Sequence, residues 1–356
     1  MLRTMDLPFD PPVEPMLAKL SDAVPEGGAW RYEPKWDGFR AIVFFDGREA
    51  YLQSRDLKPL ARYFPELRDG LQRVLSGVRR RPLVIDGEIV IMGDGGLDFD
   101  ALLMRIHPAE SRVRKLAAET PSSFVAFDLL ADGGEDLRGY PFAERRSRLE
   151  AALSGVAAPA HLTPMTPDRA LALDWFERFE GAGLDGVVAK RADDVYQPGV
   201  RAMLKIKHLR TVDCVVGGFR WAKGGEGQVV GSLLLGLYDD AGVFHHVGHT
   251  SSFKADERRA LVATLRPNVS EQEGEGFGGG RTPGSPSRWT QGKDLSWVRL
   301  RPELVCEVTF DHLQGRRFRH AARFRRWRGD REAGTCGFGQ IVSAVPVELR
   351  EIFGAG

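Results

Sequence analysis

The sequence predicts an α+β domain followed by a smaller, mainly β domain. Three observations carry that expectation. Short apolar runs rich in β-branched and aromatic residues recur through the first half, separated by segments with helical apolar spacing. From about residue 212 such runs continue, but only one helical segment lies among them. At 356 residues the chain is also too long for a typical single core and comfortable as two.

In chain order, AIVFF (41–45), LVIDGEIVIM (83–92), SFVAFDLL (123–130) and GVVAK (186–190) read as strands, since branched and ring side chains suit a pleated surface. Segments around 60–77, 142–154 and 168–182 carry helix-like spacing and are expected to pack on those strands. CVVGGFRW (214–221), VVGSLLLGLYD (229–239) and VFHHVGHT (243–250) then read as strands, and 254–265 as a helix. EQEGEGFGGGRTPGSPSR (271–288) reads as a flexible loop. WVRLRPELVCEVTFDHL (297–313) and an arginine-rich stretch follow. The boundary is expected near 208–212, giving domains 1–209 and 210–356.

A content of 42% hydrophobic and 28% charged residues is that of an ordinary soluble globular protein. No apolar run approaches the length of a membrane span, and the N-terminus lacks the apolar core of a signal peptide. A cytoplasmic monomer is therefore expected. Cys214, Cys306 and Cys336 lie far apart with no CxxC pair, so neither a zinc site nor a disulfide framework is expected, only buried or incidental thiols. A net charge of +1 says nothing about nucleic acid, whereas its distribution does. RRFRHAARFRRWRGDR, from Arg316 to Arg331, interleaves arginines with Phe318, Phe324 and Trp327, and no matching acids stand beside it in sequence. That pattern favours a phosphate-binding surface over a solvated face.

Chemistry concentrates in a few short segments. Glu33-Pro34-Lys35-Trp36-Asp37-Gly38-Phe39-Arg40 sets a lysine just before an Asp-Gly turn. An amine that attacks phosphorus must be neutral, which neighbouring cations or a metal would favour. Alone, such a lysine also fits a surface turn. Ser54-Arg55 follows. Asp86-Gly87-Glu88 sits inside an apolar run, where acids are costly unless they serve a metal or a hydrogen bond; solvent-facing positions on a half-exposed strand are the other reading. Phe127-Asp128 closes another run, with simple core as the competing reading for Phe127. Asp185-Gly186-Val187-Val188-Ala189-Lys190 comes next, Lys190 fitting a solvated strand end. In Leu204-Lys205-Ile206-Lys207, alternation sets both lysines on one strand face, aimed at something anionic. His245, His246 and His249 stand without nearby Cys or acid partners, so zinc is not expected there. Gly224-Gly225-Glu226-Gly227 lacks the ending of a P-loop and reads as a hairpin loop.

The order of these motifs resembles the covalent nucleotidyltransferase superfamily of DNA ligases, RNA ligases and mRNA capping enzymes. Within it, PPVEPMLA, YEPKWDGFRA, LDGVVAK, KIKH and RFRRWRGDR resemble the small bacterial ATP-dependent DNA ligases of the C type. The resemblance implies a nucleotidyltransferase (adenylation) domain followed by an OB-fold domain, ATP with Mg²⁺ or Mn²⁺ as cofactors, and nicked duplex DNA as partner. Lys35 would attack the α-phosphate and become adenylated. Glu33, Arg40, Arg55, Glu88, Phe127, Lys205 and Lys207 would contact the nucleotide. Among them Arg40 would hold ribose or phosphates, Phe127 would stack on adenine, and Lys205 and Lys207 would neutralise the α-phosphate. Glu88 and Asp185 would serve the ribose and the metal. Arg201 would be a further phosphate contact. Arg55, Arg317 and Arg319 would meet DNA, Arg55 at the 5′-phosphate of the nick. Arg328, Asp330 and Arg331 would orient pyrophosphate for departure.

Two positions depart from the family's pattern. Asp185 stands where Glu is common, which shortens its reach, and Arg331 where Lys is common, which turns a point charge into a fork. Competing expectations are an RNA ligase or GTP-using capping enzyme and, from another class, a nick-binding module without catalysis. NAD⁺ is not expected as adenylate donor. Repair, beside a polymerase or end-processing proteins, is the expected setting.

Overall fold

A computed structural model of the chain describes residues 5–78, 81–93, 96–178, 183–208, 210–270, 276–278, 282–284, 294–311 and 313–341. Met1–His208 and Leu209–Ser343 make up the bulk of two compact units.

The strands of the first unit are β1 (Ala18–Leu20), β2 (Trp30–Pro34), β3 (Phe39–Phe45), β4 (Ala50–Ser54), β5 (Leu83–Gly93), β6 (Ser122–Asp132), β7 (Ala160–Leu162), β8 (Gly186–Arg191) and β9 (Met203–Lys207). Its helices are α1 (Pro65–Val78), α2 (Phe99–Met104), α3 (Glu110–Glu119), α4 (Phe142–Leu153) and α5 (Arg169–Arg178). One sheet runs β4-β3-β5-β6, antiparallel, with β7 added parallel to β6. A second sheet runs β1-β9-β8-β2. The near-continuous apolar runs of β3, β5 and β6 follow from burial on both faces. Val43, Ile85 and Leu129 face α1 and α4, meeting Leu67, Leu71 and Leu149. Ile42, Phe44, Val84 and Leu130 face the other way, onto Met16, Tyr196 and Met203. The helices expected at 60–77 and 142–154 form as α1 and α4, and α5 forms within 168–182, whose residues 179–182 lie outside the described residues. Helices α2 and α3 were not foreseen: α3 buries only Val113 and Ala117, too narrow a stripe to read.

The second unit contains β10 (Arg210–Trp221), β11 (Val230–Tyr238), β12 (Phe244–Thr250), α6 (Ala255–Leu265), β13 (Val305–Phe310), β14 (Arg317–Phe318) and β15 (Arg323–Trp327). The order β12-β11-β10-β13-β15 is closed by a parallel bridge between Thr250 and Ala322, where the Ala322 N–H donates to the His249 carbonyl at 3.0 Å. A five-stranded barrel results, with no open edge between first and last strand. Its core takes Val215, Leu233, Leu235, Val247 and Val308, capped by Leu261 and Leu265 of α6. The three cysteines, distant in sequence, all belong to this core: Cys214 stands opposite Cys306 in the β10–β13 ladder, and Cys336 is also fully buried. Burial pushes all three thiols up. The glycine- and proline-rich stretch 271–288 falls largely outside the described residues. Among the described residues no helix is long and apolar enough to cross a membrane.

Candidate active site

Lys35 follows β2 directly. Its N–H donates to the Gly186 carbonyl at 2.8 Å, and its own carbonyl accepts from the Asp185 N–H at 2.9 Å. The backbone of the candidate nucleophile is thus stitched to the start of β8. Close by, the Trp36 indole donates to Thr163 Oγ1 at 2.8 Å. Gly38 passes so near β5 that a Cβ there would come within 2.2 Å of the Ile89 carbonyl oxygen. The Lys-x-Asp-Gly pattern therefore has a steric reason as well as a chemical one.

Three of the expected groups meet at one point. Lys35 Nζ and Lys207 Nζ each lie 2.6 Å from Asp185 Oδ2, and the Asp185 side chain is only 5% exposed. Lys205, on the same face of β9, has its pKa lowered by burial and by the charges of Lys207, Lys35 and Arg55. Arg55 itself is exposed, one residue past β4. Arg201 is exposed two residues before β9, with no hydrogen bond or ion pair among the described residues. The structure brings Lys35, Asp185, Lys205, Lys207 and Arg55 into one electrostatic group and leaves Arg201 at its margin.

Glu88 pairs across β3–β5 with Arg40. Burial pushes its carboxyl up to about 7, although Arg40 and Lys35 pull the other way. It accepts no hydrogen bond from the described residues, an unusual state for a half-buried carboxylate. Asp86, two residues earlier, is fully buried rather than solvent-facing. It takes Arg40 Nε and Nη2 on its two oxygens at 2.6 Å each, and the Tyr196 hydroxyl donates to it at 2.6 Å. The planar fork expected to grip a phosphate or ribose from Arg40 is thus already closed on Asp86. Only the remaining edge of that guanidinium can reach a ligand.

Phe127 is buried, with the Arg40 guanidinium 4.4 Å and Lys190 Nζ 4.7 Å from its ring centre. An adenine stacked on this ring would share it with those two cations. Lys190 is no solvated strand end. It is 3% exposed, lies 2.7 Å from Glu33 and donates to the Phe127 carbonyl at 3.2 Å. Arg146 of α4 lies 3.5 Å from the same Glu33 and donates to the Thr163 carbonyl. The Glu33 carboxylate is therefore engaged by two buried cations beneath the site.

Residues 15–207 match the ATP dependent DNA ligase domain, and residues 226–331 match the ATP dependent DNA ligase C terminal region. The chain belongs to the ATP-dependent DNA ligases. It is 51% identical to DNA ligase C of Mycobacterium tuberculosis over 360 residues, covering 98% of this chain and 99% of that one. It is likewise 51% identical to DNA ligase C2 of Mycolicibacterium smegmatis, covering 95% and 97%. A solved structure from work on Lig E DNA ligases shares the fold at a TM-score of 0.54 and 19% identity, covering 88% of this chain and 99% of that one. The ligase is thus an enzyme with a nucleotidyltransferase domain and an OB-fold domain, using ATP and, as the family requires, a divalent metal.

The donors in this ligase suit a hard cation that keeps most of its waters. Such an ion needs one or two carboxylates besides phosphate oxygens, and Glu88, which accepts no hydrogen bond from the described residues, is a carboxylate near the candidate nucleophile. Asp185 fits that role less simply, because two ammonium groups already occupy its Oδ2.

In the OB unit, the arginine run of the ligase has acid partners that sequence proximity did not reveal. Arg326 lies 2.6 Å from Glu307 on the neighbouring strand, and Arg316 lies 3.2 Å from Asp239, which also holds His245 at 2.7 Å. Arg328 donates to both Asp213 oxygens at 3.1 Å and to both Asp330 oxygens at 2.8 Å. Arg331 Nε is 3.2 Å from Asp213. The expected OB-domain triplet is therefore one cluster, anchored by an aspartate that sequence reading missed. Arg317 and Arg319 are half-buried at and just beyond β14, while Arg323 and Arg325 stand exposed on β15.

Proposed function

We propose that the ligase seals 3′-hydroxyl/5′-phosphate nicks in duplex DNA through a phosphoramide formed on Lys35. Lys35 Nζ attacks the α-phosphorus of ATP, the bond to the bridging oxygen breaks, and pyrophosphate leaves. The 5′-phosphate of the nick then displaces Lys35 from that phosphorus, and the 3′-hydroxyl finally displaces AMP from the 5′-phosphorus. The observation that carries this reading is the convergence of Lys35 and Lys207 on Asp185 beside Lys205 and Glu88. Asp185 is the nearest acceptor for the proton Lys35 must shed. Lys205 and Lys207 offset charge growing on the α-phosphate. Phe127 and the free edge of Arg40 shape the adenosine side.

Glu88, with Asp185 contributing, would hold Mg²⁺ or Mn²⁺, which supplies charge neutralisation at the phosphates when bound. Arg55 would meet the 5′-phosphate at the nick, and Arg201 would add a peripheral phosphate contact. Arg328, Asp330 and Arg331 would face the leaving pyrophosphate. The reaction needs ends already bearing a 3′-hydroxyl and a 5′-phosphate, so repair polymerases and end-processing proteins are its natural partners. The same chemistry supports a cytoplasmic, nucleoid-associated location.

Incubation with α-labelled ATP or GTP and Mg²⁺, followed by denaturation, tests the reading. Label from ATP alone on the wild type, absent from Lys35→Ala, is expected. Label retained by Lys35→Ala would overturn the assignment of the nucleophile.

A further inference from the structure

We propose that Tyr196 is a positioning residue for lysine adenylation: acting through Asp86, it fixes the free nitrogen of Arg40 on the ribose of ATP. Given the adenylation of Lys35 proposed above, Tyr196 joins the site without touching the nucleotide.

A turn brings it there. Pro198 and Gly199 occupy the centre of a turn that the Val200 N–H closes onto the Gln197 carbonyl at 3.2 Å, and Gly199 has φ +73°. A proline followed by a residue of positive φ is the type II pattern. The turn packs onto the segment that precedes β1. The Gly199 N–H donates to the Pro15 carbonyl at 3.3 Å, and the Leu17 N–H donates to the Val200 carbonyl at 2.8 Å. Between those two bonds the Met16 N–H reaches the Tyr196 hydroxyl at 2.9 Å.

That contact fixes the direction of the next one. A hydroxyl has a single proton and an N–H can only donate, so the proton of Tyr196 goes to Asp86 Oδ2, 2.6 Å away. Burial, and after it the charge of Asp86, pushes the Tyr196 hydroxyl well above the usual tyrosine range, so it stays a donor. Asp86, fully buried, takes Arg40 Nε on one oxygen and Nη2 on the other. The second Nη2 proton goes to the Met16 carbonyl at 3.3 Å. Tyr196, Asp86, Arg40 and Met16 thus close a ring in which no side chain can turn without breaking at least two bonds.

The ring leaves one group of Arg40 for a ligand. Of the five N–H bonds of a guanidinium, those on Nε and Nη2 are used, and the rest belong to Nη1, which has no partner among the described residues. The side chain is 20% exposed, so Nη1 can be reached. It lies 4.4 Å from the Phe127 ring centre and pairs across the ladder with Glu88. In a nucleotide the ribose joins base to phosphate. With adenine on Phe127 and the α-phosphate at Lys35, the ribose hydroxyls fall in the space between, where Nη1 is an unused donor. Its aim is set by Asp86, and that of Asp86 by Tyr196.

The test compares lysyl-adenylate formation from α-labelled ATP, 2′-deoxy-ATP and 3′-deoxy-ATP in single turnovers of the full ligase. Pyrophosphate treatment beforehand strips any AMP already bound. Wild type is expected to lose at least about tenfold in kcat/KM with one of the two analogues, because a site built to hydrogen-bond a hydroxyl rejects the molecule without it. Tyr196→Phe keeps the ring and removes the hydroxyl alone. It is expected to label roughly tenfold more slowly with ATP and to lose most of the selectivity against that analogue. Selectivity is a ratio internal to each sample. Misfolded protein lowers both rates alike, so a variant that melts early still answers the question. Three results would overturn the role of Tyr196: a variant with wild-type rates, a variant slow with ATP but as selective as wild type, or a wild type that treats all three nucleotides alike. A wild type that takes no label from any of them would instead sink the adenylation reading beneath it.

Discussion

Glu88 carries a pKa pushed up to about 7 by burial, with Arg40 and Lys35 limiting the rise. Its ionised form is the one that can serve a metal or a ribose hydroxyl. Adenylation by the free enzyme should therefore fall about tenfold per unit as pH drops below about 7, and Glu88→Gln should flatten that limb while lowering the plateau. A pH profile of single-turnover label transfer reads both effects. The sign for stability is the reverse of the usual carboxylate. The folded state keeps a proton that the unfolded chain has released, so this group's contribution is greatest below about 4.5 and is lost as pH rises through about 7. Asp86 acts on Arg40 at the same scale. Asp86→Asn leaves a guanidinium and the Tyr196 hydroxyl poorly matched in a buried place, and should cost about 3–5 kcal/mol in a denaturant melt. Lys35, Glu88, Asp185, Lys205 and Lys207 were singled out in sequence through the order of short motifs resembling the nucleotidyltransferases, and the structure groups them electrostatically. Asp86 with Tyr196, and Glu33 with Lys190, form two buried pairs whose partners come from separate stretches, and no local pattern announces such pairing.

Glycines decide how closely the elements approach. Gly186, at the head of β8, has φ +135° and faces the Ile206 carbonyl, to which a Cβ would come within 1.9 Å. Gly87 sits between the two acids of β5, where a Cβ would meet Phe124 and the Val125 carbonyl at 2.4–2.5 Å. Both positions serve the β-ladders that hold the acids in place. Gly186→Ala should therefore destabilise by well over about 1 kcal/mol and weaken lysyl-adenylate formation, since Asp185 and the Lys35 backbone hang on that junction. A variant that melts and labels like wild type would refute this. The strands were legible because β3, β5 and β6 are buried on both faces and their apolar runs are near-continuous. The acid partners of the arginine run were not visible at this scale, because Glu307, Asp213 and Asp239, which pair with Arg326, Arg328 and Arg316, sit on or beside other strands of the barrel.

At the scale of the molecule, each unit has its own core, and the change from mixed to mainly β composition near residue 212 was visible in the apolar pattern alone. How the barrel closes was not, because the Thr250–Ala322 bridge joins residues more than seventy apart through backbone atoms. All three cysteines lie in the second unit, fully buried, with thiols that burial holds in their unreactive form. The molecule therefore contains a chemical clock for the opening of one of its halves. In native buffer an alkylating reagent should add slowly, at a rate set by how often the barrel opens. Leu235→Ala, a core truncation costing about 2–5 kcal/mol, should speed that addition many-fold. Mass spectrometry counts the adducts, and immediate modification of the native protein would show the thiols to be accessible after all. Because the first unit holds no cysteine, every adduct is a dated record of barrel opening, obtained without a label, a tag or a mutation.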